Sequence, residues 1–363
     1  MFKKLKKLQS LGDVFRRGSV IDATPTTPAT PFVSGTGGIY SPGIKSAGLA
    51  GLSITFDRFV LILTLGAAIG IGVLLGTIAL TLLWNALPAI QIYGFSFLRN
   101  QVWNPVRDEY SILPMIYGTV VSSTIALLLA IVLGVGTGLF LSENGLPNVF
   151  RLPGFDAVMG GIRSLLVVWV ELLAAIPSVI FGLWGFGVLI PLWKPIGQWL
   201  HHHLGNWLWF STTPVGPGLL PAVFVLTLMI VPLIVAVTRN IMVMLPLEWR
   251  EAGLALGATR WEVLLYILLP NAMPGILAGA MLALGRALGE TMAVTMVIGN
   301  ANQLNLSLLA PANTIASLLA NQFAEAQDIQ IAALMYAALI LFAITLGVNG
   351  LAEALIQSVY KER

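Results

Sequence analysis

The stretch Glu251-Ala252-Gly253-Leu254-Ala255-Leu256-Gly257, with Ile267-Leu268-Leu269-Pro270 nine residues further on, decides the fold. It lies between two long apolar runs, Leu219–Leu245 and Ala272–Ile298, and carries charges that no bilayer interior accepts at low cost. The chain must therefore leave the membrane here in an ordered polar loop and return. Gly253 in the middle of a helix-forming segment costs about 1 kcal/mol relative to Ala, and Gly257 is placed to end that helix.

Working outward, the same alternation recurs. The 363 residues are 57% apolar and 10% charged, with no cysteine. A soluble domain carries roughly 25% charge, and the lack of thiols excludes disulfide frameworks and thiolate metal sites. Further runs lie at Phe59–Leu83, Ile112–Leu141, Ser164–Ile190 and Ile331–Ile356. All six exceed the ~20 residues needed to cross a hydrocarbon core of ~30 Å, and closed backbone hydrogen bonding makes them helices. The expected fold class is an all-α integral membrane protein with six transmembrane helices over residues 58–360, preceded by a segment, 1–57.

Lys and Arg set the orientation. With the N-terminus in the cytoplasm, fifteen of the nineteen basic residues lie inside, Arg99, Arg107 and Lys194 lie outside, and Arg286 falls within a span. Both termini and the loop 245–271 are then cytoplasmic. Residues 1–17 space Phe2, Leu5, Leu8, Leu11 and Phe15 among lysines and arginines as a basic amphipathic helix on the lipid bilayer surface. Residues 18–53 read as a flexible linker. The net charge of +3 gives no reason to expect nucleic acid.

Of the outer loops, 84–111 holds Trp84, Tyr93, Phe95, Phe97 and Trp103, residues suited to an interfacial belt. Residues 191–218 hold His201-His202-His203, which as neighbours point different ways and read as a solvated loop rather than a metal site. Gly pairs at four-residue spacing, such as Gly134/Gly138 and Gly275/Gly279, favour close helix packing.

Span five contains Gly285-Arg286-Ala287-Leu288-Gly289-Glu290. Charges at mid-depth are costly and mark pathways. On one continuous helix Arg286 and Glu290 share a face, and the planar guanidinium fork matches an oxyanion. The same pair also reads as a self-neutralising structural contact. Glu171, in Glu171-Leu172-Leu173-Ala174-Ala175-Ile176-Pro177-Ser178, is a second candidate, expected to be buried or paired with Arg163.

The 251–270 block resembles the EAA loop by which permease subunits of ABC importers engage their ATPase, with Gly253 where Ala is usual. Gly285–Thr295 (GRALGETMAVT), Glu171–Ser178 (ELLAAIPS), Ile116–Ser122 (IYGTVVS) and Asn321–Ala326 (NQFAEA) resemble PstC-type permeases of bacterial phosphate ABC importers. The resemblance runs from about Tyr93 to the C-terminus. It implies a MetI-like type I ABC importer permease of the bacterial inner membrane, with Arg286, Glu290 and Glu171 along the substrate path. Glu251, Ala252 and Gly257 would form the coupling surface, with Trp249 and Leu254 entering an ATPase groove. The implied partners are a PstA-type sister permease, a PstB-type ATPase dimer and a PstS-type periplasmic phosphate-binding protein.

The residues leave no enzyme reading. There is no G-x-x-x-x-G-K-[ST] loop, so ATP-Mg belongs on a partner subunit and this chain is expected to bind no cofactor. Two alternatives remain at this stage. One is an ABC permease for sulfate, molybdate or a phosphonate; the other is an ion-coupled secondary anion transporter.

Overall fold

Backbone groups in lipid must be satisfied within their own segment, and the chain answers almost wholly with helices. The structure, a computed structural model, describes residues 47–142 and 155–361. The expected basic helix 1–17 and most of the linker lie outside the described residues. Residues 47–53 of that linker are helical, as the start of α1 (Ala47–Tyr93). One unit takes in the described residues up to Thr81, and a second those from Leu82 onward, the boundary falling within α1.

After α1 come α2 (Ser96–Arg99), α3 (Leu113–Ser142), α4 (Phe155–Ala175), α5 (Ser178–Trp184) and α6 (Ile190–Leu204). Next are α7 (Leu219–Met244), α8 (Leu247–Ala255), α9 (Arg260–Val263) and α10 (Leu269–Leu288). The last three are α11 (Met292–Val297), α12 (Ile315–Gln322) and α13 (Asp328–Lys361). Single π-turns, Gly185–Leu189 and Leu264–Leu268, join α5 to α6 and α9 to α10 as continuous helical bodies. Among the described residues there is no strand, only two isolated bridges.

Six helical segments are long and apolar enough to cross a membrane: Arg58–Tyr93, Leu113–Ser142, Ser178–Leu204, Leu219–Met244, Arg260–Leu288 and Asp328–Ala354. The number agrees with the sequence, but two positions do not. The expected third span, Ser164–Ile190, is cut at Pro177, which has no N–H to give and disfavours helix at the residue before it. Pro177 stands with extended ψ at the entrance to α5, so the span shifts to Ser178–Leu204. Lys194 and the three histidines, expected in a loop, fall on this helix; the histidines form its last turn. The expected fifth span, Ala272–Ile298, starts earlier, at Arg260, and stops at Leu288.

The core is built around α7. Gly134 and Gly138 of α3 face Ile234 and Thr238, and a Cβ at either glycine would lie within 2.8 Å of those side chains. The pairings advance together, so α3 and α7 run parallel. Gly275 and Gly279 of α10 face Ile241 and Val237 at 2.6 and 2.5 Å from such a Cβ, and these pairings run antiparallel. Four glycines thus let two helices approach one backbone closely, which is how helices associate where lipid removes the usual hydrophobic gain. On the other side, Gly182 and Gly185 of the α5 body leave room for Ala293, Met296 and Val297 of α11.

A second packed region forms around the loop between α2 and α3. Phe97 and Trp103 were expected at an interfacial belt, but they are buried with Tyr110, Ile112, Met115 and Leu318. Phe97 stacks on Tyr336 at 4.5 Å, and the Trp103 indole N–H donates to Gln322 Oε1 at 2.7 Å. Trp84 and Phe95 do remain exposed. The aromatic set splits because α2 folds back on the start of α3, where Ile112 N–H donates to Phe97 O at 2.8 Å.

The loop after α11 is pinned to α3 by polar contacts. Asn313, Thr314 and Ser317 are buried, and Thr314 with Ser317 forms a capping box at the start of α12. Ile315 N–H donates to Thr119 Oγ1 at 3.0 Å, and the Asn313 amide donates to Asn302 Oδ1 at 2.7 Å. Gly118 is essential to this approach, since a Cβ there would lie 2.0 Å from the Asn313 carbonyl oxygen.

Two outcomes follow from this packing. Gly118→Ala must displace backbone rather than a flexible side chain, and overpacking of this kind costs about 1–3 kcal/mol; a lowered Tm of the purified protein in detergent checks it. The Tyr110 hydroxyl is pushed up to about 12 by burial, then by the Asp108 charge and its hydrogen bond. The folded chain therefore keeps this proton after the unfolded chain loses it near ~10. The contribution is intact below that pH and is lost as pH rises towards about 12. Tyrosinate absorbance should show a late step that Tyr110→Phe lacks.

Candidate functional site

The loop 245–271 folds as two short helices at an abrupt corner. α8 carries Trp249, Glu251, Ala252 and Leu254, with Glu251 and Leu254 exposed and Ala252 half-buried. Its last turn closes with two bonds, Ala258 N–H to Gly253 O at 3.2 Å and Gly257 N–H to Leu254 O at 2.9 Å. These are the paired bonds of a Schellman ending, which requires a left-handed residue at Gly257. Gly257 has φ +79°. The next helix starts at once, with Thr259 as N-cap in a capping box with Glu262.

The corner is held from beneath. Met242, Ala258, Val263, Leu264, Ile267 and Leu268 form a buried cluster, with Trp249 packed against it. Trp249, expected to enter an ATPase groove, is half-buried against the loop's own core. Gly253 has a packing reason that propensity alone does not supply. A Cβ there would lie 2.7 Å from Val263 Cγ2 and 3.0 Å from Ile267 Cδ1, so the glycine lets α8 lie against the following helix. Arg250 donates to the Met242 carbonyl at 2.9 Å, satisfying one of the open acceptors at the end of α7. A shallow groove of about 280 Å³ runs past Ser142, Leu247, Glu251, Leu254 and Arg260.

The corner connects without interruption to the charged centre. From Arg260 to Leu288 the helical body is continuous through its π-turn, a length of roughly 40 Å at about 1.5 Å per residue. Arg286 sits in the last turn of that body. The antiparallel register of Gly275 on Ile241 and Gly279 on Val237 puts Arg286 level with Ile230, near the middle of α7.

Arg286 and Glu290 are not neighbours on one helix face. α10 ends at Leu288, Gly289 and Glu290 lie in the break, and α11 starts only at Met292. Gly289 interrupts the helix, and Glu290 Oε1 accepts from Ala293 N–H at 3.5 Å at the start of α11. Among the described residues no carboxylate lies within ion-pair distance of Arg286. Gly279, Ala283 and Ala293 are buried in helix packing. Arg286 itself is exposed and faces a groove of about 530 Å³ bounded by Leu233, Leu282, Gly285, Thr345 and Asn349.

Glu171 is exposed on α4, one turn before the Pro177 break, rather than buried. Arg163, its expected partner, instead places its guanidinium 5.3 Å from the centre of the Phe140 ring. Eight residues along a helix separate the two by about 12 Å, too far for a direct pair. The three histidines border a cavity of about 560 Å³. His201 and His203 turn Nδ1 to the carbonyls of Phe210 and Trp199, both at 2.9 Å. No metal-binding group of three ligands exists among the described residues.

Sequence reasoning missed Thr345 and Asn349. The hint was present as two polar residues four apart in an otherwise apolar run, but only the packing of α13 beside α10 brings them to Arg286.

Comparison with known proteins agrees with this architecture. Residues 158–360 match the model for binding-protein-dependent transport system inner membrane components. A phosphate transport system permease protein PstC from Xylella fastidiosa is 39% identical over 305 residues, covering 83% of this chain and 90% of its own length. A protein of the same name from Mesorhizobium japonicum is 41% identical over 302 residues, covering 82% and 88%. Among solved structures, a chain of the inward-facing MetNI methionine ABC transporter aligns over 68% of this chain and 95% of its own, with 17% identity and a TM-score of 0.49. The assignment rests on the sequence matches: this multi-pass membrane chain belongs to the PstC family of permease proteins, within the binding-protein-dependent transport system inner membrane components.

Proposed function

We propose that this chain is the permease subunit of an ATP-driven importer that moves inorganic phosphate into the cytoplasm by alternating access. The observation that carries the proposal is the unbroken helix from Arg260 in the loop corner to Arg286 at mid-depth. A push on the corner is transmitted along a stiff rod to the Arg286 guanidinium. The names of the PstC relatives supply the cargo.

In this reading the bacterial inner membrane holds the chain with both termini and the loop corner in the cytoplasm. A PstB-type ATPase dimer carrying ATP-Mg takes Glu251, Ala252 and Leu254 on the exposed side of α8. A PstA-type sister permease completes the pathway, and a PstS-type periplasmic binding protein delivers the anion. Chemistry on ATP belongs to the partner, and this chain works as a mechanical and electrostatic element. Arg286 offers fixed donors to a passing oxyanion. Glu290 steadies the start of α11, while Glu171 lies on the wall near the Pro177 break. Tight binding in the pore would slow release, so affinity is better placed in the external binding protein.

Radiolabelled phosphate uptake in bacteria lacking their own high-affinity phosphate uptake, with this chain expressed beside its sister permease, ATPase and binding protein, tests the reading. Wild-type uptake should persist in excess sulfate. Arg286→Ala should reduce it at least tenfold at equal membrane abundance, the scale of losing one charge-assisted contact of about 1.5–3 kcal/mol. Uptake unchanged by Arg286→Ala would remove the arginine from the path. At the corner, a β-branched residue in the left-handed region costs about 1–2 kcal/mol, so Gly257→Val should insert normally yet lose uptake. Gly257→Asn, which tolerates that conformation, should retain most of it. Equal uptake by the two variants would show that the corner's geometry does not matter for coupling.

A further inference from the structure

The groove beside Arg286 has two chemically different walls. On one side Arg286 supplies donors and no acceptor. On the other, Thr345 and Asn349 stand four residues apart on α13 and share a face. Asn349 lies close to α10: a Cβ at Gly285 would sit 3.6 Å from Asn349 Oδ1, ordinary contact distance. The Thr345 hydroxyl spends its hydrogen on the Leu341 carbonyl at 2.8 Å, so its oxygen keeps only lone pairs for the groove. The Asn349 amide is exposed and makes no hydrogen bond among the described residues. An amide and a guanidinium left open in a membrane span are costly unless water, protein or a ligand meets them.

We propose that this second wall reads hydrogens on the transported oxyanion. Arg286 takes the ionised oxygens, while the Asn349 carbonyl oxygen and the Thr345 oxygen accept from the hydroxyl groups that phosphate keeps near neutral pH. Sulfate is fully ionised at that pH and has no hydrogen to offer. Its oxygens would face those lone pairs, the kind of mismatch by which polar sites reject analogues. Asn349 and Thr345 are then specificity-determining residues within the pore. The inference rests on the phosphate reading above.

The test uses the two permeases with their ATPase in nanodiscs, without the binding protein, so that weak binding in the pore is read directly. Broadening of the ³¹P line of inorganic phosphate reports binding, and added sulfate reports preference. Wild type should broaden the line, with excess sulfate displacing little phosphate. Asn349→Leu should weaken phosphate binding several-fold and let sulfate compete as an equal. Thr345→Val keeps shape while removing the acceptor and should shift the preference in the same direction; it carries the test if the Asn349 variant does not assemble. Unchanged binding and preference in these variants, with broadening lost in Arg286→Ala, would overturn the inference and leave the phosphate reading intact. Sulfate competing equally in wild type would also overturn the inference, while the phosphate reading falls only if phosphate uptake by the complete system fails.

Discussion

Inside a bilayer, helices gain nothing by expelling water from between them, so contact depends on how closely backbones approach. Gly134, Gly138, Gly275 and Gly279 supply that approach on adjoining faces of α7. Everything else in the site depends on this arrangement. It fixes α10 in antiparallel register with α7, which sets the depth of Arg286. It also aligns α3 so that Gly118 and Thr119 receive the loop after α11.

The loop corner and the groove are two ends of one object. Pro246 and Gly257 set the beginning and end of α8, Thr259 restarts the helix, and the π-turn at Leu264–Leu268 carries it into α10 without a hinge residue. A π-turn adds one residue to the helical path, rotating the side chains beyond it relative to those before it. The exposed face of α8 and the groove face of α10 are therefore set by the same short segment. The helix ends at Gly289, which separates Arg286 from Glu290 and leaves the cation facing α13.

The charged residues show why a helical wheel drawn from sequence was only half right. The i, i+4 relation assumed that apolar sequence from Ala272 to Ile298 stays one helix. Gly289 and the short α11 break that assumption, because packing Ala293 and Met296 on Gly182 holds α11 in place without helical continuity to α10. The aromatic residues of the first outer loop teach a similar lesson. Phe97 and Trp103 carry the composition of an interfacial belt, but the turn-back of α2 gives them a core to fill.

The sequence by itself determined the membrane class, the number of spans, the loop that leaves the membrane between the fourth and fifth, and the family through its motifs. Those features are local: apolar length, charge exclusion, and glycine or proline at fixed offsets act within a few residues of themselves. Only the tertiary structure decided where the third and fifth spans begin and end, that Gly253 serves packing, that Glu171 is exposed, and that Thr345 and Asn349 meet Arg286. Gly253 answers to Val263 and Ile267 of the helix that follows it, and the meeting of Thr345 and Asn349 with Arg286 depends on which distant helix lies alongside, a pairing invisible to any local pattern.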